Sequence, residues 1–140
     1  KCRVDLQKIT LSKSQKNLLS EYAKNERPNE SCAILFGLNR EKESFVQEVF
    51  LAKNIEKSPT TNFTISNEQL IECYKLAEQK KMDVVGIFHS HPNSIAYPSE
   101  TDKKFMYSNP VVWIIYSGVS EEFKAYVLEK GIMEIQVEFL

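Results

Sequence analysis

Histidine is scarce in this chain: only two of the 140 residues, His89 and His91. Glycine is nearly as rare, with four copies and no cluster, which excludes a glycine-rich phosphate loop. The three cysteines, Cys2, Cys32 and Cys73, show no C-x-x-C spacing. That argues against a cysteine-built zinc finger and against a thioredoxin-like redox motif. They read first as free, buried thiols, with one disulfide left open for a hyperthermophile's protein. No apolar run approaches the roughly 20 residues that cross a bilayer. The net charge of -1 leaves no basic footprint for nucleic acid or an anionic membrane. Lys80-Lys81 and Lys103-Lys104 read as solvated helix faces. The start, Lys1-Cys2-Arg3-Val4-Asp5, lacks the hydrophobic segment of a signal peptide, so a cytoplasmic location is expected.

What is present is ordinary for a globular chain: 42% hydrophobic and 26% charged residues. This length suffices for one core and is short for two, so a single domain over residues 1–140 is expected. There is no internal repeat, low-complexity tract or linker. The oligomeric state stays open, a homodimer included.

The two histidines stand one residue apart at the end of an apolar run, Val84-Val85-Gly86-Ile87-Phe88. On an extended strand, positions i and i+2 project to one face, so His89 and His91 can reach one point. Asp102, a short loop later, can bring a carboxylate to it. Two imidazoles and a carboxylate, with a fourth position left for water, form the ligand set of a catalytic zinc site. Ser99, three residues before Asp102, also fits a helix N-cap with an acidic capping partner. The two readings are compatible, because a helix start is a rigid way to hold Asp102. Ser90 points to the opposite face and is expected to bond neighbouring backbone, while Pro92 and Pro98 stiffen the ends of the loop.

Along the chain, residues 2–10 alternate at Cys2, Val4 and Leu6 as an edge strand. Ser12 and Gln15 form a capping box opening a helix over 13–25, which ends before Pro28. Residues 32–38 read as a buried strand and 44–52 as its antiparallel neighbour, joined through 39–42. A polar loop over 53–61 leads to a short strand at 62–65. Ser66 and Gln69 open a helix running to Lys81, with Leu70, Cys73, Tyr74 and Ala77 facing inward. After the histidine strand come a short helix from Ser99 and strands over 111–116, 123–128 and 132–139. These elements assemble as an α/β fold, a mixed β-sheet flanked by helices.

His89-Ser90-His91-Pro92, with Ser99 and Asp102 at this spacing, resembles the metalloprotease signature of the JAMM family, also called the MPN+ or JAB1/MPN/Mov34 domain. Asn29-Glu30-Ser31-Cys32-Ala33-Ile34-Leu35-Phe36-Gly37 resembles the family's upstream segment, and Glu30 falls on its glutamate. The resemblance covers essentially the whole chain. It implies a fold similar to that of the cytidine deaminases, although their own signature, H-x-E followed by P-C-x-x-C, is absent.

The resemblance further implies one zinc ion per chain at His89, His91 and Asp102, where it lowers the pKa of bound water to about 7. Glu30 would be the general base and Ser99 the oxyanion donor. Only the family match raises Glu30 above Glu21 or Glu26. Cys32 shares parity with Glu30 and is expected to pack beneath the site.

The implied substrate is a ubiquitin-like modifier with a glycine-ended tail, cut from a protein by isopeptidase or peptidase action. The short segment between Asp102 and Val111 fits a minimal prokaryotic, archaeal or bacterial member. A peptidase trimming a sulfur-carrier protein tail uses the same site, and a non-catalytic metal-binding scaffold is the third reading. The complete pattern argues against the last. A linear tail can add as a strand to an exposed edge, for which Asn54 to Ile65 is the candidate.

Overall fold

The computed structural model describes residues 5–140. The chain runs β1 (Lys8–Leu11), α1 (Lys13–Glu26), β2 (Cys32–Arg40), β3 (Glu43–Ala52), α2 (Asn67–Gln79) and β4 (Asp83–His91). It continues through α3 (Glu100–Ser108), β5 (Val112–Ser117), β6 (Phe123–Leu128) and β7 (Ile132–Phe139). The strands lie in the order β1-β3-β2-β4-β5-β6-β7, and β1 pairs in parallel with both β3 and β7, which closes the sheet. β4 is antiparallel to β2 and parallel to β5, so the sheet is mixed and flanked by helices, as expected.

The two faces of the sheet carry two cores. On one, Leu19 and Ala23 of α1 pack with Ile9, Leu35, Phe88, Ile114 and Val127. On the other, Cys73 and Ala77 of α2 and Met106 of α3 pack with Ile34, Ile87, Trp113 and Ile115. β4 is therefore covered on both sides and is buried from Val84 to His91. That explains its unbroken apolar run in place of an alternating pattern. No helix of the described residues is long and apolar enough to cross a membrane.

Capping fixes where each helix begins. At α1, Gln15 N–H donates to Ser12 Oγ at 3.0 Å and Ser12 N–H donates to Gln15 Oε1 at 2.9 Å, the expected reciprocal box. At α2 only half of the box forms: Ser66 Oγ accepts from Gln69 N–H, while Gln69 Oε1 is taken by the N–H of Lys53.

Several boundaries differ from expectation. Among the described residues the first strand is Lys8–Leu11, and residues 5–7 before it are not in it; Asp5 has a φ of 64°, and Cys2 and Val4 of the expected strand lie outside the described residues. α2 stops at Gln79, because Lys81 adopts a φ of 60°. Lys81 N–H then donates to Glu78 C=O and Met82 N–H to Ala77 C=O, the Schellman pattern with lysine where glycine is usual. Tyr74 is exposed, not inward-facing. Residues 62–65 form no strand; they belong to a loop that bonds to itself. Cys32 and Cys73 are free and buried.

Candidate metal centre

β4 delivers His89 and His91 to the same face, both buried. α3 begins directly opposite, with Ser99 as its N-cap: Asp102 N–H donates to Ser99 Oγ at 3.1 Å, and Ser99 N–H donates to Asp102 Oδ2 at 2.8 Å. The capping box thus aims Asp102 as well as starting the helix. Asp102 Oδ2 lies 3.0 Å from His89 Nε2 and 3.1 Å from His91 Nε2, and the two Nε2 atoms are 3.0 Å apart.

A further hydrogen bond fixes which nitrogen of His91 faces this triangle. His91 Nδ1 is 2.8 Å from the carbonyl oxygen of Ile95, which can only accept, so Nδ1 carries a proton, and whenever the ring is neutral its Nε2 is a lone pair. That lone pair faces a carboxylate oxygen and a second imidazole nitrogen. Two imidazole nitrogens and a carboxylate oxygen this close must share either a proton or a metal cation. Tetrahedral zinc ligands at about 2.0–2.2 Å from the ion lie about 3.3–3.6 Å apart, so a few tenths of an ångström of expansion would admit the ion. Two imidazole nitrogens and one carboxylate oxygen are donors that zinc accepts, and the residues fit the group.

Glu30, two residues before β2, brings a second carboxylate. Ligand atoms of Glu30, His89 and His91 lie within 4.8 Å of one another, a looser set than the one with Asp102. Glu30 is buried, and its Oε1 has no hydrogen-bond partner. Burial pushes its carboxyl up to about 8; His91 opposes the rise and Asp102's charge adds to it. Burial would raise Asp102 too, but the protonated forms of His89 and His91 and the hydrogen bond from Ser99 N–H outweigh it and hold this carboxyl well below the usual range. Desolvation lowers His89 despite Asp102. For His91 desolvation is outweighed by Asp102, the Ile95 carbonyl and Glu30, and its pKa is raised.

All five expected site residues, Glu30, His89, His91, Ser99 and Asp102, converge. Ser90 points to the other face as expected, where its Oγ accepts from Ser31 N–H at 2.8 Å and lies 2.9 Å from Ser31 Oγ. Cys32 sits opposite His89 in the β2–β4 register and is fully buried.

Sequence reasoning missed the groups that hold the loop after His91. Ser117 Oγ donates to Ser94 C=O at 2.8 Å, and Tyr126 Oη donates to Ala96 C=O. Gly118 N–H donates to His91 C=O at 2.8 Å. A Cβ at Gly118 would stand 2.5 Å from the Pro92 carbonyl oxygen, so only glycine fits that approach. Phe63 was missed as well; its ring stacks on His89. The edge expected over Asn54 to Ile65 offers few open donors, since the N–H groups of Ile55, Glu56 and Thr64 are bonded inside the loop.

A closed mixed sheet carrying two strand histidines opposite an acid-bearing helix start is the architecture of a JAB-type domain. The chain belongs to the family of prokaryotic homologs of the JAB domain, whose model matches residues 12–129. It is 37% identical over 101 residues to a desampylase from Pyrococcus furiosus, a match covering 72% of this chain and 68% of that protein. It is 34% identical over 88 residues to a CysO-cysteine peptidase from Mycobacterium tuberculosis, covering 63% of this chain and 58% of that protein. In three dimensions it resembles the solution structure of a protein from Desulfitobacterium hafniense. The TM-score is 0.84 at 26% identity, covering 94% of this chain and 92% of that one.

Proposed function

We propose that this protein is a zinc-dependent peptidase that cuts the bond after the glycine-ended tail of a small ubiquitin-like modifier. The observation that carries the proposal is the approach of His89 Nε2, His91 Nε2 and Asp102 Oδ2 to within 3.0–3.1 Å, beside the unpartnered buried Glu30 Oε1. Those three residues would hold one zinc ion, which when bound would supply Lewis acidity and make a water acidic enough to ionise at about pH 7. Glu30 takes a proton from the attacking water and returns it to the leaving amine. Its buried position beside the histidines, with Oε1 unpartnered, suits it to this exchange. Ser99 Oγ accepts from Asp102 N–H, which leaves its own proton free to donate to the substrate's carbonyl oxygen as negative charge develops there.

The desampylase similarity supports release of a modifier from a protein, and the CysO-cysteine peptidase similarity supports trimming of a sulfur-carrier tail. Both reactions fit one site. A scaffold with a merely structural metal gives no reason to bury an unpaired glutamate beside it. The test is cleavage of a ubiquitin-like fusion with a Gly-Gly junction, located by mass spectrometry, with and without chelator and beside His89→Ala. Cutting after the second glycine that stops with chelator, returns with zinc and is absent from His89→Ala is expected. Chelator-insensitive cutting would overturn the metal assignment. No cutting of any glycine-ended conjugate or carrier would overturn the peptidase.

A further inference from the structure

We propose that Asn54 is a positioning residue for Glu30, fixing the glutamate's backbone by tying it to the 53–65 loop. This rests on the peptidase reading, in which Glu30 moves the proton.

Glu30 lies outside β2, which begins at Cys32, so the ladder does not place it. Its side chain is not anchored at Oε1, so its location depends on its backbone. Both backbone groups go to the same loop: the N–H donates to Pro59 C=O at 2.7 Å, and the C=O accepts from Asn54 Nδ2 at 2.9 Å. The next residue is held differently, since Ser31 N–H donates to Ser90 Oγ on β4. Glu30 is thus the point where the chain passes from the loop's hold to the sheet's.

The Asn54 amide uses all its capacity. Nδ2 also donates to Asn62 C=O at 3.1 Å, and Oδ1 accepts from Glu56 N–H at 3.0 Å and Thr64 N–H at 3.1 Å. Two donors and two acceptors are the full inventory of an asparagine side chain. The Glu56 contact is a local turn of the kind asparagine commonly makes, and with the Thr64 contact it shapes the loop. Neither needs Nδ2, which reaches back 24 residues to Glu30. The amide holds the loop closed with one end and Glu30 with the other. A base displaced by about 1 Å can lose on the order of 10²-fold in rate.

The test compares Asn54→Ala and Asn54→Asp with the unmutated chain, all zinc-loaded. Asn54→Asp keeps the acceptors for Glu56 and Thr64 but cannot donate to Glu30 or Asn62, and it serves where the alanine variant fails to fold. The Glu30 N–H is bonded to Pro59 C=O of the loop that Asn54 closes, so its hydrogen exchange is expected to quicken at least about 10-fold as that loop loosens, with Ile87 and Ile114 unchanged. For turnover of the Gly-Gly fusion, kcat is expected to fall roughly 10- to 100-fold with KM within about threefold and one zinc retained. Unchanged exchange at Glu30 would overturn the proposal, and so would quickened exchange with unchanged kcat. A peptidase reading that fails shows separately, as no turnover by the unmutated chain, and exchange then decides by itself whether Asn54 holds Glu30.

Discussion

Phe63 lies flat against His89, with ring centroids 4.6 Å apart and planes 24° from parallel. A metal-binding histidine usually donates its second ring nitrogen to a carboxylate, carbonyl or water, which fixes the ring. His91 does so through Ile95, whereas His89 Nδ1 is buried without a partner. The aromatic face, with Trp113 edge-on at 5.9 Å, does the orienting that a hydrogen bond does for His91.

Phe63→Leu keeps an apolar side chain in this buried position, so the stability change is expected to stay below about 2 kcal/mol. Loss of the flat face frees the His89 ring, and zinc affinity is expected to fall about 10-fold, the low end for supporting residues around a metal. Competition with a chromophoric chelator measures this. An unchanged affinity would show that the strand alone orients His89.

Glu30 is expected to make the metal-free protein less stable as pH rises. Its carboxyl is raised from 4.5 to about 8 by burial, so the folded state binds the proton more tightly than the unfolded chain. That stability is fully present below pH 4.5 and is lost as pH climbs towards 8, by at most about 1.4 kcal/mol per pH unit. Glu30→Gln removes the dependence. In chelator-treated protein the variant is expected to be more stable than the parent by about 1–3 kcal/mol at pH 7, with the gap closing at pH 4. Thermal melts across this range check it, and a gap independent of pH would contradict it.

Ser99→Ala separates the N-cap role of this hydroxyl from its proposed role as oxyanion donor. Loss of the N-cap is expected to cost about 1 kcal/mol of stability, with zinc still bound, because Asp102 keeps the Ser99 N–H bond. Loss of the oxyanion donor is expected to lower kcat by about 10²–10³. A fall in kcat matched by an equal fall in zinc content would assign Ser99 to metal placement instead.

The fold was legible wherever side-chain pattern alone decides it. Phe123–Leu128 and Ile132–Phe139 fall where expected, and the Ser12 and Ser99 boxes mark their helix starts. The end of α2 was not legible, because Lys81 takes a left-handed conformation that sequence associates with glycine. Tyr74 has the right spacing for the inner face, yet that face is filled by Cys73 and Ala77. Of the site, His89, His91 and Asp102 were legible because adjacent positions on one strand and one capping box bring them together. Glu30 comes from a distant segment and was found only through the family resemblance. Asn54, Phe63, Ser117 and Tyr126 had no signal at all: each acts through a contact across the fold, and nothing in its neighbours specifies the partner.

The central claim is that His89, His91 and Asp102 hold one zinc ion while Glu30 stands beside it. Anomalous diffraction at the zinc edge, from crystals of the zinc-loaded protein, tests this most directly. The account predicts a single peak per chain about 2.0–2.2 Å from both Nε2 atoms and an Asp102 oxygen, with Glu30 outside bonding distance. A peak ligated by Glu30 in place of Asp102, or no peak between the histidines, would contradict it.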